Sequence, residues 1–221
     1  MNVSLQFFHV WPFLGDLAEG AWLTILLTVN AAGAGLVIAA LGAFAILSNV
    51  TPTAWIARSY VEAVRNTPFL VQLFFIYFSL PQIGLRLSAN EAAVITMVIN
   101  FSGYTIEILR GGIQAIPIPQ WEAGRSIGFS PGQIFLRIIL PQAIRNTYSS
   151  LTSQFCLLLL GSSVVSAISA NDLTAMANYI QSLNFRSFEV YIVTAGIYLV
   201  IVAVFKVVFA LIWRLFFARW A

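Results

Sequence analysis

Long uncharged apolar blocks run over residues 21–47, 68–85, 92–106, 146–171 and 190–205. A helix needs ~20 apolar residues to cross the hydrocarbon of a bilayer. Each block therefore supplies a span or most of one. The predicted spans are about 21–47, 68–85, 91–110, 142–163 and 188–213, with a large loop over about 111–140. The third block continues through Glu107. The fifth continues past Lys206, whose long stem can snorkel to the interface. Gly161–Asn171 is rich in Ser and Ala, and this predicts a break from the fourth helix. Trp55–Val64 is patterned as an amphipathic helix lying on one membrane face. No internal repeat is visible. The chain reads as a single all-α transmembrane domain over residues 1–221.

Composition supports this reading. Of 221 residues, 60% are hydrophobic and 9% charged, and mean hydropathy is +0.89. Soluble domains hold about 25% charged residues, so an ordinary soluble enzyme and a nucleic-acid binder are excluded. A membrane β-barrel, with its alternating strands, does not fit blocks of this length. Positive residues stay on the cytoplasmic side. With the N-terminus outside, the inner segments carry Arg58, Arg65, Arg110, Arg125, Arg137, Arg145, Lys206, Arg214 and Arg219, and the outer ones only Arg86 and Arg186. That bias predicts an outside N-terminus and an inside C-terminus. The first twenty residues hold Asp16 and Glu19 but no Lys or Arg, unlike a secretory signal. The single cysteine, Cys156, reads as a buried thiol, and His9 as an interfacial or packing residue rather than a metal ligand. No metal site is expected.

Several groups of residues invite specific readings. Ala31, Gly35, Ala39 and Ala43 form a small-residue ladder that lets a second backbone approach, within the chain or across a subunit interface. Arg65-Asn66-Thr67-Pro68 opens the second span, with Thr67 able to cap and Pro68 suited to a first turn. In the loop, Ile118 to Pro131 reads as a short helix over Pro119–Gly128, with proline at its start and glycine at its end. Glu122 and Arg125 suit the helix dipole and stand close enough to pair. Ser130 and Gln133 resemble a capping box that starts a second helix, and Leu140-Pro141 predicts a kink or restart. A stiff helix parallel to the membrane suits either docking to another protein or resting on lipid. Within the third span, Asn100, Tyr104 and Glu107 share a face, and Glu107 can pair with Arg110 or Arg65. Lining a path and bridging helices are both open to them. Ser162, Ser163, Ser166 and Ser169 can wet a pore or allow close packing. Asn184, Arg186 and Glu189 fall on the outer side.

Glu122-Ala123-Gly124, Gly128, Ile138 and Leu140-Pro141 together resemble the EAA loop of ABC importer permeases, with Gly124 in place of the family's second Ala. Arg65-Asn66-Thr67-Pro68 with Leu70–Phe75, Gly103-Tyr104 with Glu107–Ile113, and Phe185–Tyr191 resemble the polar amino-acid branch that serves histidine, arginine, glutamine and glutamate. The likeness extends over residues 17–213. It implies a five-span type I importer permease bundle in the bacterial inner membrane, with an outside N-terminus in the periplasm. A coupling helix would contact the ATPase through Trp121, Glu122, Ala123, Gly124, Arg125 and Gly128. The implied partners are a cytoplasmic ABC ATPase dimer, a second permease subunit, a periplasmic amino-acid-binding protein and membrane lipid, with no nucleic acid. The chain would have no catalytic residues and no cofactor of its own. ATP and Mg would belong to the ATPase, since no phosphate-binding G-x-x-x-x-G-K-[ST] loop is present here. Asn100, Tyr104, Glu107, Ser162, Ser163 and Ser166 are candidates for the translocation path. Leu160-Gly161 stands where the family usually carries a Lys-Asp pair, which favours a non-identical permease partner. The rival classes are an ion-gradient-driven secondary transporter, which predicts repeats and midplane acids, and a membrane scaffold, which does not require this loop.

Overall fold

The computed structural model describes residues 5–47 and 51–216, and Arg219 lies outside them. The described residues are almost wholly helical. The α-helices are α1 (Leu14–Leu47), α2 (Thr51–Arg65), α3 (Phe69–Phe74), α4 (Ala89–Gln114), α5 (Ile118–Ser126), α6 (Pro131–Ile134), α7 (Leu140–Gly161), α8 (Leu173–Asn184) and α9 (Ser187–Phe216). Among the described residues, four helical stretches are long and apolar enough to cross a membrane: Phe7–Leu47, Ala89–Gln114, Pro131–Ile168 and Ser187–Leu215. The second predicted span corresponds to a shorter apolar helix, Phe69–Ile83.

Two of these stretches hold together around a proline. Pro81 and Pro141 each lack the N–H that would reach the carbonyl four residues back, at Tyr77 and Arg137. Both carbonyls fall in a widened π turn, over Phe75–Ser79 and Phe135–Ile139 respectively. The predicted restart at Leu140-Pro141 is thus a widened turn inside one helical rod, which runs over Pro131–Ile168. Gln142 Nε2 also donates to the Ile138 carbonyl at 2.9 Å. Beyond Gly161 the rod tightens to a 3₁₀ helix over Ser162–Ile168 and stops at Ser169, whose φ is +57°. The Ser-rich tail breaks from the α-helix, as its composition predicts.

The chain divides into two compact units. One comprises residues 1–30, 69–97 and 156–221. In it, α8 is held at its N-terminus: the Asp172 carboxylate accepts from Ala175 N at 2.8 Å, and Leu173 N donates to Thr24 Oγ1 of α1 at 2.9 Å. Gly20 is the close-approach point, since a Cβ there would lie 3.0 Å from Leu173 Cα. The N-terminal segment is tied down by Gln6, whose N–H donates to Glu189 and whose side-chain oxygen accepts from Arg186. Arg186 and Glu189, expected on the outer side of the membrane, thus hold the N-terminal segment in place. Most of the α9 surface is apolar and exposed, including Leu199, Val204, Val207 and Leu211, as a lipid-facing helix requires.

The other unit comprises residues 31–68 and 98–155. Its core joins Ala39 and Ala43 of α1, Ala57 and Val61 of α2, Ile106, Leu109 and Ile113 of α4, and Ile134, Phe135 and Ile139 of the rod. The small-residue ladder is buried within the chain: Ala31, Ala39 and Ala43 have no exposed surface, and Gly35 lies against Phe101 of α4. Intrachain packing accounts for all four positions.

Candidate functional site

The α5 loop is built almost entirely from backbone chemistry. Pro117 precedes the helix and Pro119 sits in its first turn. Proline is suited there because the first N–H groups of a helix have no internal partner. At the other end, Gly128 adopts φ +79°. Its N–H donates to the Arg125 carbonyl at 3.0 Å, and Phe129 N donates to the Gly124 carbonyl at 3.1 Å. This is a Schellman closure, which needs a left-handed residue at that position, so glycine is the favoured occupant. The next residue, Ser130, closes a capping box with Gln133: Ser130 N donates to Gln133 Oε1 at 2.9 Å, and Gln133 N to Ser130 Oγ at 3.4 Å. Two helices are therefore fixed at a defined angle by two consecutive local motifs. The Arg137 guanidinium lies 5.6 Å from the Phe129 ring centroid and braces the corner.

Side chains on α5 divide by face. Gly124 is buried, and a Cβ there would come 2.8 Å from Ile134 Cγ1 and 3.1 Å from Ile138 Cδ1. Its smallness serves packing of α5 onto its own chain. Trp121 is half-buried against the unit core. Glu122, Ala123, Arg125 and Gly128 are exposed. Glu122 and Arg125 form no ion pair within 4 Å, although their spacing allows one. Exposed pairs gain little over separate solvation.

In the same unit, Asn100, Tyr104 and Glu107 are half-buried on α4. Glu107 accepts from Arg110 Nε at 3.0 Å and from Arg110 Nη2 at 2.9 Å, and Arg110 Nη1 donates to Gln114 at 2.8 Å. Arg65 reaches across from the end of α2, 3.8 Å from Glu107 and 5.7 Å from the Tyr104 ring centroid. The predicted ion pair is thus a triad joining α2 to α4. Asn66 and Thr67 finish α2: Asn66 Nδ2 donates to Glu62 and Thr67 Oγ1 to the Ala63 carbonyl, each at 2.8 Å. A further tie comes from Tyr60, which the sequence reading passed over. Its hydroxyl donates to the Ile99 carbonyl at 2.9 Å and lies 2.6 Å from Ser102 Oγ. Burial raises the pKa of this phenol. The available signal was its place beside Ala57, Val61 and Val64 on the apolar side of an amphipathic helix.

Ser162, Ser163 and Ser166 belong to the other unit, so the candidate path residues fall in two groups. Their hydroxyls donate to the carbonyls of Leu159, Leu160 and Ser163 at 2.7, 2.8 and 2.8 Å, meeting the local demand of the 3₁₀ segment.

Helices of membrane length and apolar composition, with the short capped helix α5 between two of them, define the class as an integral-membrane protein. The chain belongs to the family of binding-protein-dependent transport system inner membrane components, whose model matches residues 17–218. Its relatives include the probable glutamine ABC transporter permease protein GlnM of Bacillus subtilis strain 168, 36% identical over 201 residues, covering 91% of each chain. The L-cystine transport system permease protein TcyB of the same organism is 36% identical over 192 residues, 86% of this chain and 81% of that one. The glutamine transport system permease protein GlnP of Escherichia coli K12 is 34% identical over 197 residues, 88% of this chain and 90% of that one. Among solved structures, an amino acid ABC transporter crystallised with histidines matches with TM-score 0.85 and 37% identity, over 96% of this chain and 99% of that one. The MetNI methionine ABC transporter shares the fold, with TM-score 0.77 at 21% identity, over 92% of this chain and 97% of that one. The protein is an ABC importer permease subunit, a class that works with an ATPase and a binding protein.

Proposed function

We propose that this permease carries polar amino acids into the cell by alternating access, driven by ATP hydrolysis on a separate cytoplasmic ATPase dimer that holds ATP and Mg. The relatives named for glutamine and cystine transport support the substrate class. The observation that carries the coupling role is α5 itself: locked at both ends and presenting Glu122, Ala123 and Arg125 outward. When the ATPase closes, a helix so fixed moves as a lever with the rod it packs against. Its partner above is a periplasmic amino-acid-binding protein, and its N-terminus lies in the periplasm. The path draws on Asn100, Tyr104 and Glu107 and on Ser162, Ser163 and Ser166. A non-identical second permease completes the pore, on the strength of Leu160-Gly161, which cannot form the family's Lys-Asp ion pair.

The test targets the outward face. Glu122→Lys and Ala123→Trp leave the core untouched, so membrane levels should stay normal. ATPase co-purification should fall by about ten- to hundredfold, since a lost charge-assisted contact is worth ~1.5–3 kcal/mol. Full transport in both variants would assign α5 to lipid. Transport by this chain with the ATPase and binding protein alone would refute the non-identical partner.

A further inference from the structure

An open cavity lies wholly within the unit of residues 31–68 and 98–155, along α2 and α4. Its volume is about 360 Å³, within the ~300–1,000 Å³ range of small-molecule sites. Each helix gives it one polar face: Arg58, Glu62 and Arg65 of α2, and Glu107, Arg110 and Gln114 of α4. These groups are unequally satisfied. Arg110 is occupied by Glu107 and Gln114. Arg65 stands 3.8 Å from Glu107 and leans on the Tyr104 ring, 5.7 Å from its centroid. Arg58 has no carboxylate within 4 Å among the described residues. The Glu62 carboxylate accepts from Asn66 through one oxygen, Oε2, and has no cation within 4 Å among the described residues. Arg58 and Glu62 are one helical turn apart, close enough to pair. The cation comes first in the chain, which is the weaker order for such a pair. Both charges therefore stay available on the cavity wall.

We infer that this cavity binds a free α-amino acid on the cytoplasmic side, its carboxylate on the Arg58 guanidinium and its ammonium on the Glu62 carboxylate. A guanidinium receives a carboxylate through two parallel hydrogen bonds. A simple anion in the cavity would lie beside the Glu62 and Glu107 carboxylates, and a simple cation beside three guanidinium groups. Like charges so placed are costly. A zwitterion offers each wall group its opposite sign. The contacts involve only the groups common to all α-amino acids, so the side chain is left to face the opening. The inference rests on the permease reading and its orientation, which put the ends of α1 and α4 at the inner face. It adds a release-side contact for the imported class, next to the candidate path residue Glu107.

The experiment uses the full transporter with its ATPase in phosphatidylcholine nanodiscs, without binding protein or nucleotide, titrated calorimetrically with L-glutamine. Arg58→Gln and Glu62→Gln should each weaken binding about tenfold or more, the effect of one lost charge-assisted bond. Neither change should unfold the chain: Arg58 has no ion pair to lose, and a glutamine at 62 keeps an oxygen for Asn66. Glutaramate, which lacks the α-ammonium, and L-glutaminamide, which lacks the α-carboxylate, should bind the wild type more weakly by a similar factor. No binding of L-glutamine by the wild type, or unchanged affinity in both variants, overturns the site. Glutaramate or inorganic phosphate binding as tightly as L-glutamine, and lost in Arg58→Gln alone, reduces it to a small-anion site and overturns the amino-acid assignment. Stimulation of the ATPase by the loaded binding protein, in the same nanodiscs, reads the permease function separately. Its absence would sink that reading whatever the calorimetry shows.

Discussion

Asp172 shows how one residue can carry both a structural bond and a cost. It caps α8, has no exposed surface, and takes hydrogen bonds from Ala175 N and, at 3.3 Å, from the Tyr198 hydroxyl. Burial is the largest influence on its carboxyl and raises the pKa, with the hydrogen bonds from Ala175, Thr174 and Tyr198 opposing it. A carboxyl with a raised folded pKa binds protons more tightly in the folded state than in the unfolded chain. Its contribution is therefore fully present below the ordinary carboxylate pKa and lost as pH rises through the folded value. The wild-type melting temperature should accordingly fall across the range just above the ordinary carboxylate pKa. Asp172→Asn keeps a side-chain oxygen for the cap and should flatten that part of the profile without loss at neutral pH. An identical pH profile in the variant would show that the residue contributes only a cap.

At the scale of elements, the Gly111-Gly112 pair separates two meanings of glycine. A Cβ on Gly112 would sit 2.5 Å from Thr147 Cγ2 and 2.9 Å from the Ala143 carbonyl oxygen, so α4 and α7 cross there in backbone contact. Nothing lies within 4 Å of a Cβ on Gly111. Gly112→Ala should destabilise by about 1–3 kcal/mol, the range for overpacking. Gly111→Ala should be neutral or gain up to ~1 kcal/mol from helix propensity. Thermal unfolding in detergent reads both, and equal effects would mean that the crossing relaxes freely. Much of α5 was legible in the sequence because its ends are made by local motifs: Pro119, Gly128 and the Ser130–Gln133 box each act within a few residues. The direction of Gly124 was not legible. Its small size fits an outside partner or an inside one equally well, and only the position of Ile134 across the turn decides.

For the molecule as a whole, orientation follows from charges spread over many segments, an effect of insertion that no single contact supplies. In a Cys156→Ala background, a cysteine placed at Asp16 should react in intact cells with a membrane-impermeant thiol reagent, and one at Arg219 should not. The reverse pattern would invert the chain and remove the cytoplasmic coupling role with it. Arg219 takes part in this test through the sequence alone, since it lies outside the described residues.

The all-helical membrane class was determined by the sequence by itself, because apolar length and charge asymmetry act on each segment independently of its neighbours. The same holds for the α5 caps, whose hydrogen bonds close over a few residues. Tertiary structure alone decided how far the rods extend: Pro131 and Pro141 belong to one helix because a π turn and the packing of Phe135 and Ile139 support it. It also decided that the small-residue ladder of α1 meets α4, and that Arg65 and Tyr60 of α2 bond to α4. Those pairings join residues about forty to sixty-six positions apart along the chain. Local propensity and periodicity give the face of a helix, but the partner it meets is set by packing of the whole unit.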